Sequence, residues 1–286
     1  MPDRTPNLLV IGAMKAGTTT LCEELARHPD VWFPAGKEPN GLARHLKGEP
    51  HALDDWRALF SGRRERWLGD GSTGNSKVPF NPDTSGLAAG LCGPDTKILY
   101  ITRDPIARTE RHIAHEIGNG TLASPEGGLF SAPEYLANSA YAMQLSFWRR
   151  HFCPEAILEI TLEDLTVDRA GVLTRVFSHL GLDPAPVLAL GPVDANRGDA
   201  RRSAHKSWLR PLLHSRAYAR LRELLPRSLR QRAAGALLPT ATQARVRLSD
   251  AEQTAARRAL DALNALDAPD AATITATIQA AREAMK

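Results

Sequence analysis

Apolar residues follow two rhythms along this chain. Short unbroken runs, LLVIGA at 8–13, KILYIT at 97–102 and AILEIT at 156–161, are rich in Ile, Leu and Val. Such runs predict strands buried on both faces, as in a parallel sheet. WLGDGST at 67–73 predicts a further strand entering a loop. Elsewhere apolar positions recur every three or four residues. Leu21 and Leu25 predict a helix over 18–28, and ALDDWRALF predicts an amphipathic helix over 52–60. RDPIARTERHIAHEIG, from 103, predicts a loop turning into a helix, with Pro105 near the first turn, where a missing N–H costs nothing. Tyr141, Leu145 and Trp148 predict a long helix over 133–152, and a helix over 168–180 is expected to stop at Gly181. The Gly/Pro-rich stretches 34–50 and 118–132 predict loops, the second of them mobile.

Strands alternating with helices predict an α/β fold with a parallel sheet, whose ligands sit at the carboxyl ends of the strands. After residue 200 the pattern is helical alone. SDAE, Ser249 to Glu252, is a capping box opening a helix of about four turns. Residues 271–285 predict a last helix. The expected organisation is one domain over 1–286, with an α/β core over 1–195 and a helical, basic extension over 196–286.

The 286 residues are 43% hydrophobic and 24% charged, enough for one large globular core. Apolar runs fall far short of the roughly 20 residues of a membrane span, and no leader stretch precedes the first strand. Cys22, Cys92 and Cys153 lie far apart without CxxC spacing, which fits a reducing compartment and argues against a zinc cluster or disulfide framework. A cytoplasmic protein is expected, and the abundance of Ala and Arg suggests a GC-rich bacterial genome. The net charge of +4 conceals an asymmetry: residues 197–247 hold thirteen Lys/Arg against two acids, Asp199 and Glu223. Such a segment implies an anionic ligand, an acidic partner or a membrane surface, or else a solvated arginine-rich face. It offers Trp208 and Tyr218 for base stacking and no recognisable module, so no nucleic-acid partner is expected.

Chemistry concentrates after the first strand, in IGAMKAGTTT. Gly12 and Gly17 have the separation of a phosphate-binding loop, but Thr18 stands where a nucleotide-hydrolysing loop has its lysine, and the lysine lies inside the loop as Lys15. Backbone N–H groups entering a helix favour an anion, and Thr18, Thr19 and Thr20 add hydroxyl donors. His112, His115 and Glu116 have metal-compatible helical spacing, but nothing else supports a metal, and none is expected.

The Lys15-Ala16-Gly17-Thr18-Thr19-Thr20 run resembles the 5′-phosphosulfate loop of sulfotransferases that use 3′-phosphoadenosine 5′-phosphosulfate (PAPS). LYITRDPIARTERHI resembles the same family's 3′-phosphate motif. The likeness continues through KEP at 37–39, SKVP at 76–79 and LEDLTVDRAGVLTRVFSHLGL at 162–182, over about two-thirds of the chain, and is nearest to bacterial members related to the glycosaminoglycan sulfotransferase domains. The resemblance implies a P-loop NTPase-like fold and transfer of a sulfuryl group from PAPS, without a metal, to a hydroxyl or amine of a small-molecule, sugar or lipid acceptor. Lys15 would stabilise charge on the leaving phosphate, and Arg103 would bind the 3′-phosphate. Glu38 would be the general base, with Asp70 or His45 as alternatives. The family's serine on the 3′-phosphate is replaced by Arg111, a longer charged ligand or a side chain that points away. A second family lysine is replaced by Gly71, leaving Lys77 or Lys37 to substitute. Arg197 and Gly198 match a basic loop that closes over the cofactor. Two other readings remain at this stage. One is an ATP-using kinase-like enzyme, against which the lysine position counts. The other is a degenerate member that binds a nucleotide or partner without catalysis.

Overall fold

A computed structural model describes residues 4–119, 121–122, 128–193 and 246–284. Five parallel strands form the sheet: β1 (Leu8–Gly12), β2 (Val31–Trp32), β3 (Trp67–Asp70), β4 (Lys97–Thr102) and β5 (Ile157–Thr161), in the order β2-β3-β1-β4-β5. The register sets Leu9 opposite Asp70 on one side and Ile98 on the other. Both faces are covered, as the unbroken apolar runs require. Leu8, Val10, Leu99 and Ile101 pack against α1 (Thr18–Leu25) and α10 (Arg169–His179). Leu9, Ile11, Ile98 and Tyr100 face α2 (Gly41–Leu46), α3 (Ala52–Phe60) and α8 (Tyr141–Arg149).

A third cluster extends the core beyond the sheet. Ile106 and Ile113 of α5 (Pro105–Asn119) meet Leu136 of α7 (Glu134–Ala137). Against them lie Ala256, Leu260 and Leu263 of α12 (Asp250–Asn264) and Ile274 and Ile278 of α13 (Ala271–Glu283). The Ser249–Glu252 capping box is present in both directions, as its sequence predicts. The helix over 169–179 stops before Gly181, at φ 62.

Several elements differ from expectation. The stretch 34–50 is not all loop: α2 forms there, with Gly41 so close to the Trp56 ring that any Cβ would overlap it. The long helix expected over 133–152 is split into α7 and α8 around Asn138–Ala140. Ser139 at the break places its hydroxyl 2.6 Å from Arg108 Nε, so tertiary polar contacts override the helical periodicity. A short helix, α6 (Gly128–Ser131), falls in the stretch expected to be loop. Three helices were not anticipated, α4 (Ser85–Cys92), α9 (Leu162–Val167) and α11 (Ala185–Leu188).

Candidate active site

β1 and β4 are neighbours whose following connections leave in opposite directions, so their carboxyl ends open a crevice. The segment after β1 enters it first. The Ala13 N–H donates to the Ile101 carbonyl at 2.6 Å and holds this segment against β4. The loop then turns through left-handed residues, Lys15 at φ 67 and Gly17 at φ 93. A Cβ at 17 would also stand 2.7 Å from Leu162 Cδ1 and displace the end of that side chain. Ala16 and Thr18 are buried, and Thr19 and Thr20 are half-buried. No side chain caps α1, and its first turn holds no acid. Its leading N–H groups are thus left for an anion or solvent.

A second loop brings Glu38 to the same place. Gly36, Lys37 and Asn40 all take left-handed backbone conformations, which turn the chain sharply. The Lys37 carbonyl accepts the Gly71 N–H at 2.9 Å, binding the loop to the end of β3. Lys37 Nζ donates to Glu38 Oε1 at 2.5 Å, to the Gly71 carbonyl at 3.1 Å and to Thr18 Oγ1 at 3.3 Å. The other Glu38 oxygen accepts from Thr73 Oγ1 at 3.1 Å. The Asn40 N–H donates to Ser72 Oγ at 2.9 Å, and the Asn40 amide donates to the Glu38 carbonyl at 3.1 Å. Two stretches remote in sequence, at Thr18 and at Gly71–Thr73, thus brace the loop of Glu38, whose carboxylate stays a third exposed.

The third side is built by α5 and its entry. The Arg103 carbonyl accepts the Tyr141 hydroxyl at 2.8 Å. Asp104 accepts the Ala107 N–H, and Glu110 accepts the Leu248 N–H, so both acids beside Arg103 have backbone partners of their own. Arg108 is fully buried. Its guanidinium donates to Ser139 Oγ, to the Tyr135 carbonyl at 2.7 Å and, at 3.5 Å, to the Met14 carbonyl of the first loop. Its NH2 also lies 3.2 Å from His112 Nδ1. None of these partners is a carboxylate, and burial pulls the guanidinium down to about 10. His112 is pushed down to about 2 by burial, then by the positive charges of Arg108, Lys77, His115 and Lys15. Lys77 is held below the usual ammonium range by burial, opposed by Glu38 and reinforced by Arg108. Arg108, Lys77, His115 and Lys15 thus act on His112 as neighbouring positive charges, while Glu38 and Glu116 are acids in the field of Lys77.

Lys15, Ala16, Gly17, Thr18, Thr19, Thr20 and Glu38 come together around the crevice, with Arg103 at its β4 edge. Arg111 lies exposed on α5. Arg197 and Gly198 lie outside the described residues. Of the alternative bases, Asp70 is buried and committed: it accepts Trp56 Nε1 at 2.8 Å and the Ser72 N–H at 2.9 Å. Sequence reasoning missed Arg108, although it stands five residues after Arg103 in the same motif. It also missed Thr73 and the Tyr141 hydroxyl. The ring of Tyr141 packs edge-on to Tyr100, while its oxygen holds the strand end. Among the described residues no three or more His, Cys, Asp or Glu are grouped to hold a metal ion. Nor is any helix there long and apolar enough to cross a membrane.

The chain has a P-loop-like α/β fold, with its anion-type loop after the first strand and a carboxylate fixed across from it. The known proteins that the chain is similar to are sulfotransferases. The chain is 30% identical over 195 residues to heparan sulfate glucosamine 3-O-sulfotransferase 6 of Mus musculus, covering 63% of this chain and 53% of that protein. It is 29% identical over 189 residues to human heparan sulfate glucosamine 3-O-sulfotransferase 3B1, covering 62% of this chain and 46% of that protein. The chain thus spans about half the length of the curated relatives it matches. A crystal structure of a sulfotransferase from Alicyclobacillus acidocaldarius superposes with a TM-score of 0.54 at 25% identity, covering 67% of this chain and 85% of that one. No family model matches the chain.

Proposed function

We propose that the chain is a sulfotransferase that uses PAPS as donor and a hydroxyl or amine of a small molecule, sugar or lipid as acceptor. The observation that carries the reading is the joint placement of Glu38 and the first loop: one ammonium, Lys37 Nζ, touches both the Glu38 carboxylate and the Thr18 hydroxyl at the start of α1. The residues fit an anionic nucleotide. α1 opens without an acid in its first turn, and Arg108 lies buried without a carboxylate among its partners. When bound, PAPS supplies an activated sulfuryl group on its 5′-phosphate.

The chain's own residues then have separable tasks. The N–H groups of the loop and of the first turn of α1, with the threonine hydroxyls, bind the 5′-phosphate. Lys15 neutralises charge on that phosphate as it leaves, an interaction stronger in the transition state than in the ground state. Arg103 binds the 3′-phosphate with paired hydrogen bonds. Glu38 takes the acceptor proton as the new bond to sulfur forms. The old S–O bond breaks with its electron pair passing to the 5′-phosphate, so 3′,5′-adenosine bisphosphate is released. Lys77 is half-buried with Glu38 in its field.

Calorimetry with EDTA present tests the donor. The protein is expected to bind 3′,5′-adenosine bisphosphate far more tightly than AMP or ATP. Equal affinity for the bisphosphate and AMP would remove the 3′-phosphate site. A strict need for magnesium would favour the ATP-using alternative.

A further inference from the structure

We infer that Lys37 is a sulfuryl-binding cation of this site, shared between the donor and Glu38. This deepens the proposed function and rests on it. Three observations define the role. The first is position: Lys37 Nζ contacts Thr18 Oγ1 at 3.3 Å and Glu38 Oε1 at 2.5 Å, so it stands between the phosphate loop and the carboxylate that would face the acceptor. A sulfuryl group passing from the loop to an acceptor held by Glu38 crosses that interval. The second is burial. The Lys37 side chain is 13% exposed and Glu38 is 33% exposed. The ammonium is thus fixed inside the site, while the carboxylate keeps a face open to an incoming hydroxyl.

The third observation concerns Gly71. The Lys37 carbonyl accepts the Gly71 N–H, and its ammonium donates back to the Gly71 carbonyl at 3.1 Å. A Cβ at 71 would stand 2.9 Å from Cys22 Sγ, 3.3 Å from the Lys37 carbonyl and 3.5 Å from Lys37 Cβ. A side chain at 71 would thus meet Cys22 Sγ first and press on the Lys37 carbonyl, with Lys37 Cβ at ordinary contact distance. Cys22 gives no opposing charge, because burial pushes its thiol up to about 12. With the position at the end of β3 reduced to a hydrogen atom, the cation for this part of the site comes from the neighbouring loop. Lys37 has three donor hydrogens. One turns from Glu38 to a sulfuryl oxygen when the donor binds, which frees a carboxylate lone pair for the acceptor proton.

The test compares two ligands that differ by the sulfuryl group, PAPS and 3′,5′-adenosine bisphosphate, by calorimetry on the wild type, Lys37→Met and Lys37→Arg. Thermal unfolding of each variant checks folding. Losing one hydrogen bond to a charged group should weaken PAPS binding to Lys37→Met by about tenfold or more. Bisphosphate affinity should stay within about twofold of wild type, because the lysine would touch no atom the bisphosphate retains. Lys37→Arg should keep most of the PAPS affinity. Equal weakening for both ligands would overturn the inference and make Lys37 a loop anchor acting through Thr18. No change for either ligand would also overturn it. A wild-type protein that binds neither ligand would overturn the donor reading itself, an outcome distinct from wild-type binding with an unchanged ratio in the variant.

Discussion

Glu24 offers a test of what holds α1 in place. It lies in the last turn of α1, 1% exposed, and is clasped from three directions. Arg169 of α10 donates to both carboxylate oxygens at 2.7 Å, Arg27 donates at 3.2 Å and the Val193 N–H donates at 3.0 Å. Replacing Glu24 with Ala strands the Arg169 guanidinium, 19% exposed, and an N–H group. Removing one member of a buried ion pair costs about 3–5 kcal/mol. Arg169 keeps some solvent and a 3.3 Å contact to the Val187 carbonyl, so about 3 kcal/mol is expected. Glu24→Gln keeps the shape and one acceptor, and should cost about 2 kcal/mol.

The pH dependence has a definite sign. Burial raises the Glu24 carboxyl, but the two Arg169 hydrogen bonds and the Val193 N–H more than offset it, leaving it below the usual carboxylate value. A carboxyl depressed in the folded state contributes stability above its unfolded value and loses it as pH falls through the folded value. Urea unfolding at neutral pH and at stepwise lower pH should therefore show the gap between wild type and Glu24→Gln closing toward acid. A Glu24→Ala protein within about 1 kcal/mol of wild type at neutral pH would refute the clasp. So would a gap to Glu24→Gln that does not change with pH.

Three further outcomes bear on the site. Glu38→Gln should reduce turnover with a screened acceptor by about 10²–10⁴-fold with bisphosphate affinity nearly unchanged, and retention of more than about a tenth, with chemistry rate-limiting, would remove Glu38 as base. Lys15→Ala should lower kcat even at saturating PAPS; a rise in KM alone would make it a ground-state anchor. Arg111→Ala should weaken bisphosphate binding about ten- to hundredfold if its guanidinium reaches the 3′-phosphate, and unchanged affinity would place that side chain elsewhere.

The strands at 8–12, 97–102 and 157–161 were legible because a strand buried on both faces needs an unbroken apolar run. The two-residue β2 was not, because its pairing with β3 depends on a partner 36 residues away. α2 was hidden by Asn40 and Gly41, residues that signal loops, and its form rests on contact with Trp56. Lys15 and Glu38 could be proposed from the sequence because each sits in a local motif. The bond from Lys37 to Thr18 spans 19 residues, and that from Thr73 to Glu38 spans 35. No local pattern encodes such contacts. They exist because β2, β3 and β1 lie side by side and parallel, so the loops that follow them reach one edge.

The chain on either side of residues 194–245 is moored to the helices that frame the crevice. Val193 is tied to Glu24 on α1, and Leu248 to Glu110 on α5. At 1.5 Å per residue, those moorings lie about 9 Å and 8 Å along the helix axes from Thr18 and Pro105, the residues nearest the crevice. Residues 197–247 hold thirteen Lys/Arg. That much positive charge in the sequence favours long-range attraction of an anionic ligand. Its capture rate should fall as added salt shortens the roughly 10 Å screening length of 0.1 M solution.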